Sequence, residues 1–430
     1  MKRLVQGICV LIFVLGMASI SEAGSGAFRV FASDSEATAK GGAFVGEADN
    51  PSAVFYNPAG LTQLEDGYHL SLGLAALQPI VSHTSTSGVE TQMRRETFKI
   101  PHVYFVSDFG IENVAIGIGG TSNWGLGTDW ANDSFSAYAA TKTELINLDN
   151  MVTFSYALND QLSVSVGGVY VISTANKEKA IYQSPGANAG GQLKGRDQSL
   201  GYTLSTWYKL SEAHQFGLLY KSPISLEYDV TVSAHGFSDL GALPYRTIFG
   251  GEFYTTIART DLQLPQSVVL GYSFKPENKW RFNFDVEWMD WSSVESERVY
   301  FLAETDPTRL ALLDALTASD RDWKSTISYM AGTEYEWNDK FRLRGGYFYN
   351  PAVIPEANFD TAVPVTVSHG INFGFGYDIR ENLTVDAAWT TIVYVDKNVN
   401  NTVGNALGAN LDGKYENITN LALVTLNYSF

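Results

Sequence analysis

The sequence is nearly free of cysteine. Its one cysteine, Cys9, lies in the first apolar run, so the rest of the chain can form no disulfide, no thiol nucleophile and no cysteine metal site. Long apolar runs are also missing. No window after the first two dozen residues approaches the ~20 apolar residues that a membrane helix needs. Charge is sparse, at 17% of residues, and acids outnumber bases to give a net charge of −17. That balance excludes nucleic acid as a partner, because a nucleic-acid ligand needs a basic footprint. The six histidines fall in no His-Glu-x-x-His pattern. Neither a Gly-x-Ser-x-Gly elbow nor an acidic calcium loop occurs. The sequence thus offers no catalytic residues, no metal ligands and no cofactor motif, and it does not read as an enzyme.

What is present starts with a secretion signal. Lys2 and Arg3 precede an apolar run from Ile8 to Ile20, and Ser21-Glu22-Ala23 supplies the small residues of a cleavage site. Residues 1–23 are expected to be removed, and a run this short excludes a retained anchor helix.

From about Tyr68 onward the chain reads as short amphipathic strands. Trp280, Phe282, Phe284, Val286 and Trp288 alternate with Arg281, Asn283, Asp285 and Glu287. Successive side chains of a strand point to opposite faces, so one face is apolar and aromatic and the other polar. A soluble sandwich with its apolar face inward gives this pattern, and so does a membrane barrel with its polar face inward. Loop spacing separates the two. Short polar turns at 109–112, 159–160, 211–213, 276–278, 338–339 and 380–381 alternate with long connections. The long ones span 79–96, 125–147, 176–197, 234–261, 293–321, 351–368 and 396–417. Seven long loops and six short turns make fourteen strands with all long loops at one end. Even strand number with that asymmetry is the signature of an outer-membrane β-barrel. Aromatic pairs at strand ends fit interfacial girdles. A monomer suffices for such a wall. The last strand alternates Val424, Leu426, Tyr428 and Phe430 with polar residues. Its final aromatic, Phe430, is the type of signal read by the barrel-assembly machinery.

The stretch before the strands, 24–66, is different. It is rich in Gly, Ala and Ser, lacks strand alternation, and contains Asn57-Pro58-Ala59-Gly60. The expected arrangement is an all-β, fourteen-stranded antiparallel barrel over 67–430 with 24–66 inside it as a plug. The third strand holds Gly117, Gly119 and Gly120. Such glycines mark either a bend that opens the wall or a close contact with the plug.

Several stretches together resemble the FadL family of outer-membrane transporters for long-chain fatty acids and hydrophobic aromatics. They are Gly26-Ala27-Phe28, Gly46-Glu47-Ala48, Asn57-Pro58-Ala59, Thr121 to Leu126 after the glycine run, Leu264-Pro265, and Gly345-Gly346. The resemblance implies passive transport of a hydrophobic ligand, with Phe28 reaching into its site. Asn57, Pro58, Ala59 and Gly60 then belong to a hatch, and the third strand opens laterally into outer-membrane lipid. It also implies a cation just past Tyr170 for a ligand carboxylate. The first one there is Lys177, and Arg321 and Lys324 at the start of strand ten are substitutes unless they form a solvated strand end. A neutral hydrocarbon would need no cation. A nonspecific porin is another reading of the barrel, although it would need no plug of ~40 residues and usually has sixteen or more strands. An outer-membrane lipid-modifying enzyme is the third, and it would need a Ser and a His on neighbouring strands; His102 and His369 lie on candidate strands, but serines are too frequent near them to single out a pair.

Overall fold

The computed structural model describes residues 27–430, apart from residues 278, 406 and 407. The expected signal peptide lies outside the described residues. Fourteen strands form one antiparallel wall. They are β1 (Tyr68–Ser85), β2 (Phe98–Ser107), β3 (Val114–Thr121), β4 (Lys142–Asn159), β5 (Leu162–Ser184), β6 (Ala187–Ser211) and β7 (His214–Lys221, resuming at Ile224–His235). The wall continues with β8 (Phe253–Leu264, resuming at Ser267–Glu277), β9 (Trp280–Met289), β10 (Thr326–Asn338), β11 (Phe341–Asn350), β12 (Ser368–Arg380), β13 (Leu383–Tyr394) and β14 (Gly413–Ser429). β1 pairs with β14 from His69↔Ser429 to Ser85↔Gly413, which closes the barrel. Reciprocal bonds between Tyr68 and Phe430, 3.0 and 2.9 Å, fasten the seam.

The wall is apolar outside. On β9, Phe284 is 51% exposed, while Asn283, Asp285 and Glu287 are buried. The same inversion runs along β4 (Val152, Phe154, Tyr156) and β12 (Ile371, Phe373, Phe375). Exposed apolar belts of this extent are stable only against lipid. At the short-turn end, local side chains set the hairpins. Asn159 Oδ1 accepts from the backbone of Gln161 and Leu162, and Asn338 Oδ1 accepts from Lys340 and Phe341, all within 2.9–3.0 Å. Such Asx turns are why asparagine recurs at these positions.

One expected long loop is corrected. Residues 176–197 form a protruding hairpin in which β5 and β6 run on to a two-residue turn at Pro185-Gly186. Beyond the apolar belt its outer face meets water, while its inner face mixes buried polar and apolar residues (Asn176, Gln183, Ile181 and Leu193). Its side chains lose their alternation although the backbone ladder continues, so the strand pattern vanishes from the sequence. Gly186 has φ 79°, the left-handed geometry that a tight turn demands.

The N-terminal segment lies across the lumen. It holds two short helices, α1 (Ser35–Ala39) and α2 (Ala53–Tyr56), and a 3-10 turn at Pro58–Gln63. Asp34 caps α1 through the Ala37 N–H at 2.9 Å. Inward side chains from several sides of the barrel bind the segment. Thr425 of β14 bonds Ser35, Tyr104 of β2 donates to the Ser33 carbonyl, and Asp285 of β9 accepts from the Phe44 and Val45 N–H groups, each at 2.7–3.1 Å.

A buried ion network adds to this. Lys40, with no exposed side-chain area, lies 2.9 Å from Glu36, 2.7 Å from Glu47 and 3.5 Å from Glu334 of β10. Arg344 of β11 joins Glu36, Glu334 and Asp386, and Arg281 of β9 joins Glu47 and Asp49. The carboxylates of Glu36, Glu47 and Glu334 converge within 4.8 Å, but the Lys40 ammonium already serves all three. Lys40→Met leaves those carboxylates short of a cation. Breaking a buried network typically costs about 3–5 kcal/mol. The variant is expected to expose residues 27–66 to protease at temperatures at which the wall still resists SDS. Unaltered protection would mean that the network adds nothing to the seating of the segment.

Candidate functional site

The site is built where β3 leaves the wall. β3 pairs with β2 from Ser107↔Ile116 to Val103↔Gly120, and with β4 as far as Thr121↔Asp149. Residues 122–124 then depart from the ladder, and Gly125–Asp129 rejoins β4 alone. Residues 98–102 of β2 remain paired with β1 but, among the described residues, have no ladder partner on the β3 side. The N-terminal segment uses the freed backbone. Val30 N–H donates to Asn123 O and Gly125 N–H to Phe28 O, both at 2.8 Å.

Gly117, Gly119 and Gly120 are regularly paired on both sides, so the irregularity lies just beyond them. The first two answer to close contact. A Cβ on Gly117 would fall 2.4 Å from Val54 of α2, and one on Gly119 would fall 2.5 Å from Tyr104.

That backbone pairing places Phe28 in a box of three tryptophans. Its ring centroid lies 5.0 Å from Trp291, 5.7 Å from Trp323 and 5.8 Å from Trp124. Arg29 next to it is ion-paired with Glu287 of β9. A cavity of about 350 Å³ borders Phe28 and is lined by Leu145, Leu193, Leu226 and Tyr228 with Lys177, Glu297 and Arg321. A second cavity of about 180 Å³ shares Thr143, Lys177, Leu193, Glu297 and Arg321 with it. It extends outward between the β5–β6 hairpin and α3 (Pro307–Thr317), where Ile181, Phe237, Leu313 and Leu316 form its wall. Asp306 caps α3 through the Thr308 and Arg309 N–H groups at 2.8 and 3.0 Å.

Tertiary structure therefore brings Phe28, Lys177 and Arg321 to one cavity, but not Lys324. β10 starts at Thr326, so both Arg321 and Lys324 precede it in the loop. Arg321 is buried and Lys324 is exposed. Both cavity cations are already matched. Lys177 pairs with Glu297, and Arg321 reaches Glu297 at 2.8 Å and Asp360 at 2.5 Å. Glu297, Asp360 and Trp323 escaped sequence reasoning because they sit in long loops without periodicity.

The Asn57–Gly60 turn is anchored. Asn57 Nδ2 donates to Val45 O at 2.8 Å and to Thr206 O at 3.1 Å. Ser155 donates to Pro58 O at 2.6 Å, and Ala59 N–H donates to Ser205 at 3.0 Å. Gly60 abuts Ala48, where a Cβ would fall 2.4 Å from the Ala48 carbonyl.

The model of the outer-membrane transport proteins described as OMPP1/FadL/TodX matches residues 16–430. The chain belongs to this family. Its place is therefore the bacterial outer membrane, and its activity is transport of hydrophobic compounds rather than catalysis. It is 24% identical to the long-chain fatty acid transport protein of Escherichia coli K12 over 389 residues, covering 80% of this chain and 83% of that protein. In structure it is similar to a Pseudomonas aeruginosa FadL homologue, with a TM-score of 0.82 at 16% identity over 94% of this chain and 100% of that one. The toluene transporter TodX of P. putida gives 0.71 at 18% identity, covering 93% and 99%.

Glu297 gives this site a pH response. Burial opposes its ionisation, but Lys177 and Arg321 outweigh burial and hold its carboxyl at about 2, below the ordinary 4.5. The stabilisation is complete above pH 4.5 and is lost as pH falls toward 2. Protection of the amides of residues 296–301, taken relative to the intrinsic exchange rate at each pH, is expected to hold down to about pH 4.5 and to fall below it. In Glu297→Gln protection should be low throughout.

Proposed function

We propose that this FadL-family chain imports long-chain fatty acids by diffusion. The outer cavity captures the ligand and passes it to the Phe28 cavity. Residues 24–66 act as a hatch whose shift opens the way, and the ligand leaves sideways through the gap between β2 and β3. The observation that carries the reading is the run of two cavities that share five wall residues, the larger of them bordering Phe28, whose carbonyl bonds the kinked strand. Lateral exit into lipid suits such a ligand, because each buried CH₂ is worth about 0.8 kcal/mol. Relatives named for long-chain fatty acid transport support this substrate class. Transport of neutral hydrocarbons is the second reading. The neutralised state of Lys177 and Arg321 favours it, since neither is free for a carboxylate.

Binding of oleate, methyl oleate and toluene to the detergent-purified protein separates the readings. Oleate binding supports fatty-acid carriage, and binding of the neutral compounds alone supports a hydrocarbon channel. Asn57→Ala and Pro58→Ala are expected to lower uptake several-fold with the barrel still folded, since the first removes two bonds of a buried amide. Normal uptake in both would remove this turn from gating. Gly119→Val, which collides with Tyr104, should slow release without weakening ligand binding. Unchanged flux would place the exit elsewhere.

A further inference from the structure

We propose that Lys221 receives the carboxylate of an amphiphilic ligand, and that this contact frees the hatch. The proposal deepens the fatty-acid reading and rests on it. Lys221 ends the first half of β7, where Ser222-Pro223 interrupts the strand. Pro223 has no N–H to give to the ladder. The bend is pinned by Ser222 N–H on Tyr202 O and by Tyr202 N–H on Ser222 Oγ, both at 2.9 Å. Lys221 lines a cavity of about 40 Å³, large enough for a head group but not for a chain. Its apolar walls are Trp124, Met151, Leu264 and Met289, and Phe28 packs on Trp124 at its upper side.

The charges in this cavity leave Lys221 in an unusual position. Four charged residues line it: Arg29, Asp149, Lys221 and Glu287. Arg29 and Glu287 neutralise each other. Asp149 attracts Lys221 through space and accepts from the Asn123 backbone, but the two form no direct ion pair, and the Asp149 Oδ1 has no hydrogen-bond partner among the described residues. The Lys221 ammonium instead lies 3.5 Å from the centre of the Phe55 ring, on α2 of the hatch. The cations considered for a ligand carboxylate higher in the lumen, Lys177 and Arg321, are held by Glu297 and Asp360.

A carboxylate is a stronger partner for an ammonium than an aromatic face in a dry site. A ligand head group arriving here draws Lys221 off Phe55. Helix α2 leads directly into the Asn57–Gly60 turn, so the exchange loosens the hatch at its anchor. Asp149 opposes a second carboxylate, which limits affinity and assists release.

Full-length protein in detergent tests this, with oleate and methyl oleate as probes and a heat-shift gel to verify folding. Lys221→Met is expected to weaken oleate at least tenfold and leave methyl oleate unchanged. Lys221→Arg should keep most of the oleate affinity, and Asp149→Asn should raise it. Oleate should also speed amide exchange at residues 53–56 of the unaltered chain, an effect absent in Phe55→Leu. Oleate binding to a folded Lys221→Met as tight as to the unaltered protein overturns the proposal while sparing the fatty-acid reading. An unaltered protein that binds methyl oleate but not oleate overturns both and leaves the hydrocarbon reading. Exchange indifferent to oleate overturns the coupling to the hatch.

Discussion

At membrane depth no water is available to a backbone N–H or C=O, so every one must find a partner within the protein. That constraint shapes this molecule more than any side-chain contact. It requires the first strand to meet the last, and the Tyr68–Phe430 bonds complete the circle. It also fixes where the wall can be broken. The ladder fails at residues 122–124, and there the N-terminal segment supplies the missing bonds through Phe28 and Val30. A ladder break facing the lumen is tolerable because protein backbone covers it.

A closed wall of alternating residues creates a second demand. Apolar side chains face lipid, so polar ones must face inward, and a narrow lumen cannot hydrate them all. The inward acids and bases of β9, β10, β11 and β13 are answered largely by the N-terminal segment. Lys40 and Glu47 serve Glu334 and Arg281, and the Phe44 and Val45 amides serve Asp285. Seating is therefore electrostatic and directional near the short turns. It is aromatic near the cavities, where Phe28 enters its tryptophan box. The two regimes differ in how readily they yield: buried ion networks resist stepwise loss, whereas ring contacts can be exchanged for a ligand.

The strand pattern was legible in the sequence because it is local. Period-two alternation on β9 and the terminal strand, polar turns with Asn159 and Asn338, and the asymmetry of loop lengths all follow from lipid on one face and a tight turn at one end. Legibility ended beyond the lipid belt. There the β5–β6 hairpin mixes polar and apolar residues on its buried face, so no alternation marks it. The glycines of β3 signalled crowding or bending, and only the position of Val54 and Tyr104 identified crowding as the cause.

The sequence by itself determined strand number and the two-faced character of each strand, since both depend on residues close together in the chain; closure joins His69 to Ser429 and belongs to the tertiary structure. Only the tertiary structure decided the charge state of the cavities. Lys177, Glu297, Arg321 and Asp360 come from three distant stretches of chain, and Coulomb interactions depend on separation in space rather than along the sequence. The same reason hid Lys221, an ordinary strand-end lysine until the bend at Pro223 and the ring of Phe55 give it a place.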